Sequence, residues 1–288
     1  MRGQLPKNRA RIFLLIGLVF QPALANAHHE AIFGPQSSLV LSADKFVSLQ
    51  VFSRELGTSD SKTKETTTLV SAGVRVSKRR PLSFTAILPY SWISNPGQAR
   101  TSGAEDVVLG LRYRYDLKGL QEKWDREGNF LMGMGAFELN NGTIDHRAWT
   151  GPLDTMGAVL GSLERGKWSG IGYTVARFNV EDSEGNKNGN NLFFGGGLAY
   201  TPNEDFQTGR LFSYQAGWSF EHYSRNRVKS QPDPNTGGDE LLIHPTVVYS
   251  PSHGLLFFGV VSVPVWRDFR DSAAQDGYRF GTGMVYAW

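Results

Sequence analysis

The chain has 288 residues, with 30 Lys plus Arg against 27 Asp plus Glu and a formal charge of +3. Four of the basic residues (Arg2, Lys7, Arg9 and Arg11) fall in the first 27 positions, which hold no acidic residue; 30 less these four leaves 26 basic against 27 acidic side chains, so the basicity is no argument for a nucleic-acid or anionic partner. The absence of cysteine excludes disulfides, thiolate metal sites and a cysteine nucleophile, and 40% hydrophobic with 12% aromatic residues is too rich for a disordered chain.

Residues 1–27 read as a secretory signal. A basic stretch leads into the apolar run Ile12–Phe20, and Ala25-Asn26-Ala27 offers a small-x-small cleavage site before His28. The apolar run is about half of the roughly 20 residues a spanning helix needs. No cysteine follows the cleavage site, so a lipoprotein anchor is excluded. An exported, cysteine-free chain fits a Gram-negative envelope. Residues 28–45 then form an N-terminal periplasmic segment. His28, His29 and Glu30 carry metal-ligand side chains, but terminal histidines usually bind adventitiously, so no metal or other cofactor is expected.

From residue 46 onward the signal is alternation. Thr66, Thr68, Val70, Ala72, Val74 and Val76 share one parity, and Thr67, Leu69, Ser71, Gly73, Arg75 and Ser77 the other. Leu82, Phe84, Ala86, Leu88, Tyr90 and Trp92 repeat the pattern, as do Val107, Leu109, Leu111, Tyr113 and Tyr115. A period of two sustained over about ten residues predicts strands of transmembrane length. Twelve are predicted: 46–55, 65–77, 81–92, 105–117, 129–140, 153–163, 168–179, 191–201, 210–223, 240–250, 254–266 and 277–288. Two are ambiguous in facing, because 130–139 mixes both parities and 254–266 is apolar on both until Pro264.

The connections alternate as well. Short links such as Lys78-Arg79-Arg80, Glu164-Arg165-Gly166 and Pro251-Ser252-His253 separate longer polar ones at 56–64, 93–104, 141–152, 180–190, 224–238 and 267–276; 118–128 and 202–209 are intermediate. Short turns at one end and long loops at the other are the layout of a transmembrane, antiparallel up-and-down β-barrel. Tyr90, Trp92, Tyr113, Tyr115, Phe212, Tyr214, Trp218 and Phe220 fall on the outward parity, as interfacial girdles require. Gly110, Gly217, Gly281, Gly283, Arg112, Arg114 and Arg279 fall on the inward one. The negative mean hydropathy is compatible with this, since only one face in two meets lipid. The predicted fold is all-β, with residues 46–288 forming the barrel.

Leu82-Ser83-Phe84-Thr85-Ala86-Ile87-Leu88-Pro89-Tyr90, followed across a loop by Gly103-Ala104-Glu105-Asp106-Val107-Val108-Leu109-Gly110-Leu111-Arg112-Tyr113-Arg114-Tyr115, resembles the outer-membrane channels named for the phenol-degradation meta pathway. The terminal Arg279-Phe280-Gly281-Thr282-Gly283 strand is also similar. The matching motifs are structural, and none is catalytic. The resemblance implies an outer-membrane channel or facilitator for small solutes, hydrophobic or aromatic ones among them.

One constellation points to another chemistry. In Phe220-Glu221-His222-Tyr223-Ser224 the spacing puts His222 and Ser224 on one face, where a serine could give its proton to an imidazole. Outer-membrane lipid hydrolases and deacylases use such a pair. Here Arg225 stands where those enzymes have asparagine, and the following strand offers Leu241 and Ile243 outward and no evident third partner. His244 should point inward as a hydrogen-bonded lumen residue. Gly195-Gly196-Gly197 has no helix behind it to hold phosphate. The expectation is therefore a channel in which Arg75, Arg112, Arg114, Gln215, His244 and Arg279 line the pore, with Glu221 and Asp116 as ion-pair partners, and not an enzyme. Its rivals are a lipid hydrolase at His222/Ser224 and a non-conducting structural barrel. Expected partners are outer-membrane lipid and lipopolysaccharide, a small-molecule solute, and the barrel assembly machinery through the last strand ending in Trp288, with no nucleic acid.

Overall fold

Backbone groups facing hydrocarbon have no water to bond, so a sheet in lipid must pair every strand with two neighbours. The computed structural model meets this condition. It describes residues 45–56, 63–77, 81–94, 99–124, 128–139, 141–143, 153–205, 208–270 and 276–288. The signal segment, His28, His29 and the turn Lys78-Arg79-Arg80 lie outside the described residues.

The strands are β1 (Phe46–Leu56), β2 (Thr63–Arg75), β3 (Leu82–Ser94), β4 (Thr101–Ala104), β5 (Val108–Asp116), β6 (Phe130–Leu139), β7 (Leu153–Arg165), β8 (Trp168–Phe178), β9 (Asn191–Asp205) and β10 (Arg210–Tyr223). They continue as β11 (Arg227–Val228), β12 (Gln231–Pro232), β13 (Gly238–Ser252), β14 (Leu255–Phe269) and β15 (Asp276–Ala287). β4 and β5 both pair with β3 and share one place in the sheet. β11 and β12 form a separate ribbon. The remaining neighbours pair antiparallel in chain order, and β15 returns to β1 from Phe46↔Ala287 to Arg54↔Arg279. The result is a closed barrel of twelve staves, the number the alternation predicts.

Burial along the staves is inverted relative to a water-soluble sheet. Leu111 and Tyr113 are 51% and 50% exposed, whereas Arg112 between them is 2% exposed. The same holds around the ring. Leu88, Phe137, Val159, Leu198, Ile243, Val247 and Phe280 face out, while Ser71, Thr85, Glu138, Ser162, Gln215, Glu240 and Arg279 are buried inside. Such an outer face suits lipid, and the aromatics gather near its ends: Trp168 against Tyr200 (4.8 Å), Phe212 against Tyr214 (4.8 Å), Tyr286 against Trp288 (5.7 Å).

Register resolves the two ambiguous strands. On β6, Phe130, Met132, Met134, Ala136 and Glu138 point in; on β14, Leu256, Phe258, Val260 and Ser262 do. The β13–β14 register shifts between Leu241 and Leu242, beside Pro264, which has no N–H to give the ladder. The predicted strand 105–117 starts later than expected, at Val108. At residues 105–107 the ladder thins to single backbone bonds (Glu105 N–H to the Pro89 carbonyl, 3.1 Å; Leu139 N–H to that of Val107, 2.9 Å), and side chains take over. The Asp106 carboxylate accepts the N–H groups of Asn141 (2.9 Å) and Gly142 (2.7 Å), while Asn141 Oδ1 accepts that of Val107 (3.0 Å). The intermediate link 118–128 holds a short helix not foreseen from the sequence, α1 (Lys118–Trp124).

Glycines on the inner wall make room for rings. A Cβ on Gly73 would run into the Phe46 ring, and one on Gly195 would lie 2.7 Å from Cζ of Tyr173. These aromatics thus lie flat across small neighbours.

The facing is testable on one stave. Leu111→Arg, near mid-height, should cost about 2–4 kcal/mol of folding stability in lipid, and Tyr113→Arg, nearer the girdle, about 0–1 kcal/mol. Urea titration in vesicles, with heat-modifiable migration as the folding assay, reads both; a neutral Leu111→Arg would mean that the stave is turned the other way.

Candidate functional site in the barrel interior

The interior is layered along the barrel axis, and the layers follow from which residues occupy the inward parity. Toward the long-loop end it is charged. Arg279 Nη2 donates to Glu240 Oε2 (2.6 Å), and its Nη1 lies 3.5 Å from Glu221 Oε2. The other oxygen of Glu240 accepts from Arg267 Nε at 2.8 Å. The Tyr223 hydroxyl donates to Glu221 Oε2 (2.6 Å), and Ser219 Oγ donates to Glu221 Oε1 (3.3 Å). His244 continues the chain, with Nε2 2.9 Å from Ser219 Oγ and Nδ1 3.0 Å from Ser262 Oγ. One connected polar ridge thus runs across β10, β13, β14 and β15.

Two further ion-pair groups complete the belt. Arg177 Nη2 reaches Glu138 Oε2 (2.7 Å) and Asp154 Oδ2 (3.0 Å), with all three side chains nearly devoid of solvent contact. Arg54 pairs with Glu65 Oε2 at 2.8 Å. Buried charges of this kind persist when each has a partner, and removing one partner leaves the other stranded.

Below the belt the inner face carries a large apolar cluster, with Gln50, Ser71, Thr85, Gln215 and Thr246 as buried polar residues on the other inward positions. Met132, Met134, Met156, Leu160, Ile171, Tyr173, Val175, Phe193, Val248, Leu256 and Phe258 belong to one contiguous buried cluster with Phe46, Leu69, Ile87, Val108 and Phe130. Thioethers and rings present soft, polarizable surface that adapts to varied apolar shapes.

Near the short-turn end, two arginines stack on this cluster. The guanidinium of Arg112 lies 5.1 Å from the centroid of Phe46, and that of Arg114 lies 4.1 Å from Phe130. Arg114 Nε also donates to Asp116 Oδ1 at 2.6 Å. The stacking lets cations sit against an apolar layer without leaving it.

Of the residues predicted to line a pore, Arg112, Gln215, His244 and Arg279 are buried on the inner face and Arg114 is half-buried there. Arg75 is also half-buried, and its Nε donates to the Ser77 carbonyl at the turn (2.9 Å). Glu221 and Asp116 pair as expected with Arg279 and Arg114. Glu138, Asp154, Arg177, Glu240 and Arg267 were not among the predicted residues; the first four stand on the inward parity near a strand end, and Arg267 turns inward only past the β13–β14 register shift.

The outer-rim pair needs one correction. Sequence reasoning finds no third partner for His222, but Asp239 of β13 lies directly opposite it, with Oδ1 2.7 Å from His222 Nδ1. Asp239 escapes notice because it precedes the predicted strand 240–250. Among the described residues no hydrogen bond joins Ser224 to His222; the Ser224 N–H donates to the Asn190 carbonyl (2.9 Å), and Ser224 opens the loop that follows the exposed His222 at the end of β10.

The loops at this rim are ordered by their own polar groups. The loops at 179–190 and 224–237 are joined by Lys187↔Arg227 pairing, by the Gly189 N–H to Asn226 Oδ1 (2.8 Å) and by the Lys229 N–H to Asn186 Oδ1 (3.0 Å). The carboxyl of Asp182 is held below its ordinary range chiefly by the backbone N–H of Asn186, with that of Glu184 assisting.

No protein-family model matches the chain, and no curated protein does. Among solved structures, an outer-membrane channel from Pseudomonas putida F1 is similar in fold, with a TM-score of 0.62 and 11% identity over 85% of this chain and 96% of that one. The KdgM porin (TM-score 0.44, 9% identity, 84% and 99% covered) and the β domain of the Bordetella autotransporter BrkA (0.49, 13%, 85% and 100%) also match.

The belt makes a sharp prediction. Arg279→Met removes the cation that Glu221 and Glu240, opposite each other on β10 and β13, both meet, and should cost about 3–5 kcal/mol in urea unfolding. Adding Glu221→Gln should recover part of that loss. A cost below about 1 kcal/mol would show that water already screens the belt.

Proposed function

We propose that this chain is an outer-membrane channel or facilitator for small solutes, hydrophobic or aromatic ones among them, of the kind its strand motifs resemble. The observation that carries the reading is the contiguous Met and aromatic cluster on the inner face, where a barrel of this size would otherwise be expected to be polar. Its mechanism is selection. The charged belt at one end and the stacked arginines at the other admit solutes by charge and orientation, and the apolar layer between them favours molecules that tolerate the loss of water.

The barrel's surroundings follow from the same surfaces. The apolar outer face with its aromatic ends is suited to outer-membrane lipid and lipopolysaccharide. The alternating last strand, ending in Trp288, has the form that barrel assembly machinery engages. The signal-like residues 1–27 place export first. In this arrangement Arg112, Arg114, Gln215, His244 and Arg279 line the solute path, and Arg75 guards its short-turn end.

The rival reading, a lipid hydrolase, has the His222–Asp239 hydrogen bond in its favour, since an acid behind an imidazole orients it for catalysis. Ser224 has no such bond to the histidine, and the wild-type protein is expected to hydrolyse neither phospholipid nor lipid A. Turnover that vanishes in Ser224→Ala would replace the channel reading.

Proteoliposomes test the channel directly. They should swell faster in isosmotic benzoate than in a sugar of similar size, and no faster than protein-free vesicles if the barrel conducts nothing. Arg112→Glu should keep heat-modifiable folding yet move the reversal potential of a KCl gradient toward cation selectivity. An unchanged reversal potential would place Arg112 off the path.

A further inference from the structure

Gln215 stands apart from every other polar group near it. It is on the inner face of β10, toward the short-turn end, and is 5% exposed. Both Oε1 and Nε2 are withdrawn from solvent, and neither has a hydrogen-bond partner. Its neighbours are committed elsewhere. Ser213 Oγ donates to the Tyr200 carbonyl (3.4 Å), Thr246 Oγ1 to the His244 carbonyl (3.4 Å), and both ring nitrogens of His244 are bonded to Ser219 and Ser262. A hydroxyl could rotate to find an acceptor. A buried carboxamide must have its acceptor and its N–H groups met together, and here neither end is.

The wall around it is small and apolar. Ala199 and Thr246 lie opposite Gln215 on the two adjacent strands, and the next inward position on β10 is Gly217, opposite Gly197. One strand further, Val260 lies opposite Thr246, and Phe258 lies opposite Val248, giving an apolar floor. Both amide atoms are closed off in this structure, and the side chains flanking them are small, so little has to move for a solute to reach the amide, with Val260 and Phe258 bounding it.

We infer that Gln215 is the hydrogen-bonding point of a solute-binding site on the inner wall, selective for small neutral apolar molecules bearing one group that both donates and accepts, such as a primary carboxamide or an undissociated carboxylic acid. A carboxamide side chain pairs with such a group through two parallel hydrogen bonds, while the apolar body of the solute rests against Val248, Phe258 and Val260. Gln215 carries no charge and faces Ala199 and Thr246, so this point of the path favours neutral solutes and is separate from the arginines that attract anions. The inference rests on the reading of the interior as a solute path, and it assigns that path a reading residue.

Equilibrium dialysis of labelled benzamide against the refolded full-length mature barrel tests it, with a protein-free detergent blank. Benzamide should bind saturably to the wild type and about tenfold more weakly to Gln215→Met, which keeps length and shape but loses both polar atoms. N,N-dimethylbenzamide, which accepts but cannot donate, keeps one of the two bonds, so it should bind the wild type more weakly than benzamide and lose less than benzamide does in Gln215→Met. Gln215→Leu serves as a second variant should Gln215→Met not fold. Equal benzamide binding by wild type and variant, or no saturable binding by the folded wild type, would overturn the site. Swelling and dialysis read different steps: swelling without Gln215-dependent binding overturns this site alone, and binding without swelling overturns the channel alone.

Discussion

Closure is the constraint on which everything else in this molecule depends. An open sheet in hydrocarbon would leave two rows of unpaired N–H and C=O groups, each costing several kcal/mol. Returning β15 to β1 removes both rows, and the price is a fixed division of every stave into a face for lipid and a face for the interior. Once the ring is closed, the outward parity must be apolar throughout. The inward parity is released from that demand and can carry whatever the interior requires.

What the interior carries is a sequence of unlike layers. Arginines and carboxylates concentrate toward the long-loop end, where Arg54, Arg177, Arg267 and Arg279 each meet an acid. The middle holds a thioether, aliphatic and aromatic cluster beside buried hydroxyls and amides such as Ser71, Thr85 and Gln215, and two arginines lie against phenylalanines beneath it. Ion pairs inside a barrel of this width do more than hold charge in place. They tie neighbouring staves together across the lumen wall, so the belt stiffens the end that bears the long loops. The glycines beneath Phe46 and Tyr173 let these rings pack close against the backbone of the wall.

The fold was legible because alternation and loop rhythm are independent signals that agree, strand by strand. Strand ends were less so. β14 runs beyond its predicted limit on the long-loop side, β9 on the short-turn side and β13 on both, since pairing continues past the stretch whose outward face must be apolar. The site was legible where a charge broke an apolar alternation, as Arg112 and Arg114 do between Leu111, Tyr113 and Tyr115. It was hidden on β6, where methionines and glycines blur the parity and Glu138 gains its meaning only from Arg177 two strands away. Asp239 beside His222 was hidden for a similar reason, because cross-strand neighbours depend on register. Gln215 stood on the correct face, but its lack of partners is a property of the packed wall and not of the sequence.

The account turns on the apolar layer as the element that chooses between solutes. The most direct measurement is single-channel conductance of the wild type against the double variant Met134→Ser, Met156→Ser in planar bilayers. Serine would let water into a layer that the thioethers keep dry, so ion conductance should rise several-fold while the preference for aromatic over sugar solutes falls. Conductance and preference both unchanged by the double variant would contradict the account, because the layer would then play no part in what the barrel admits.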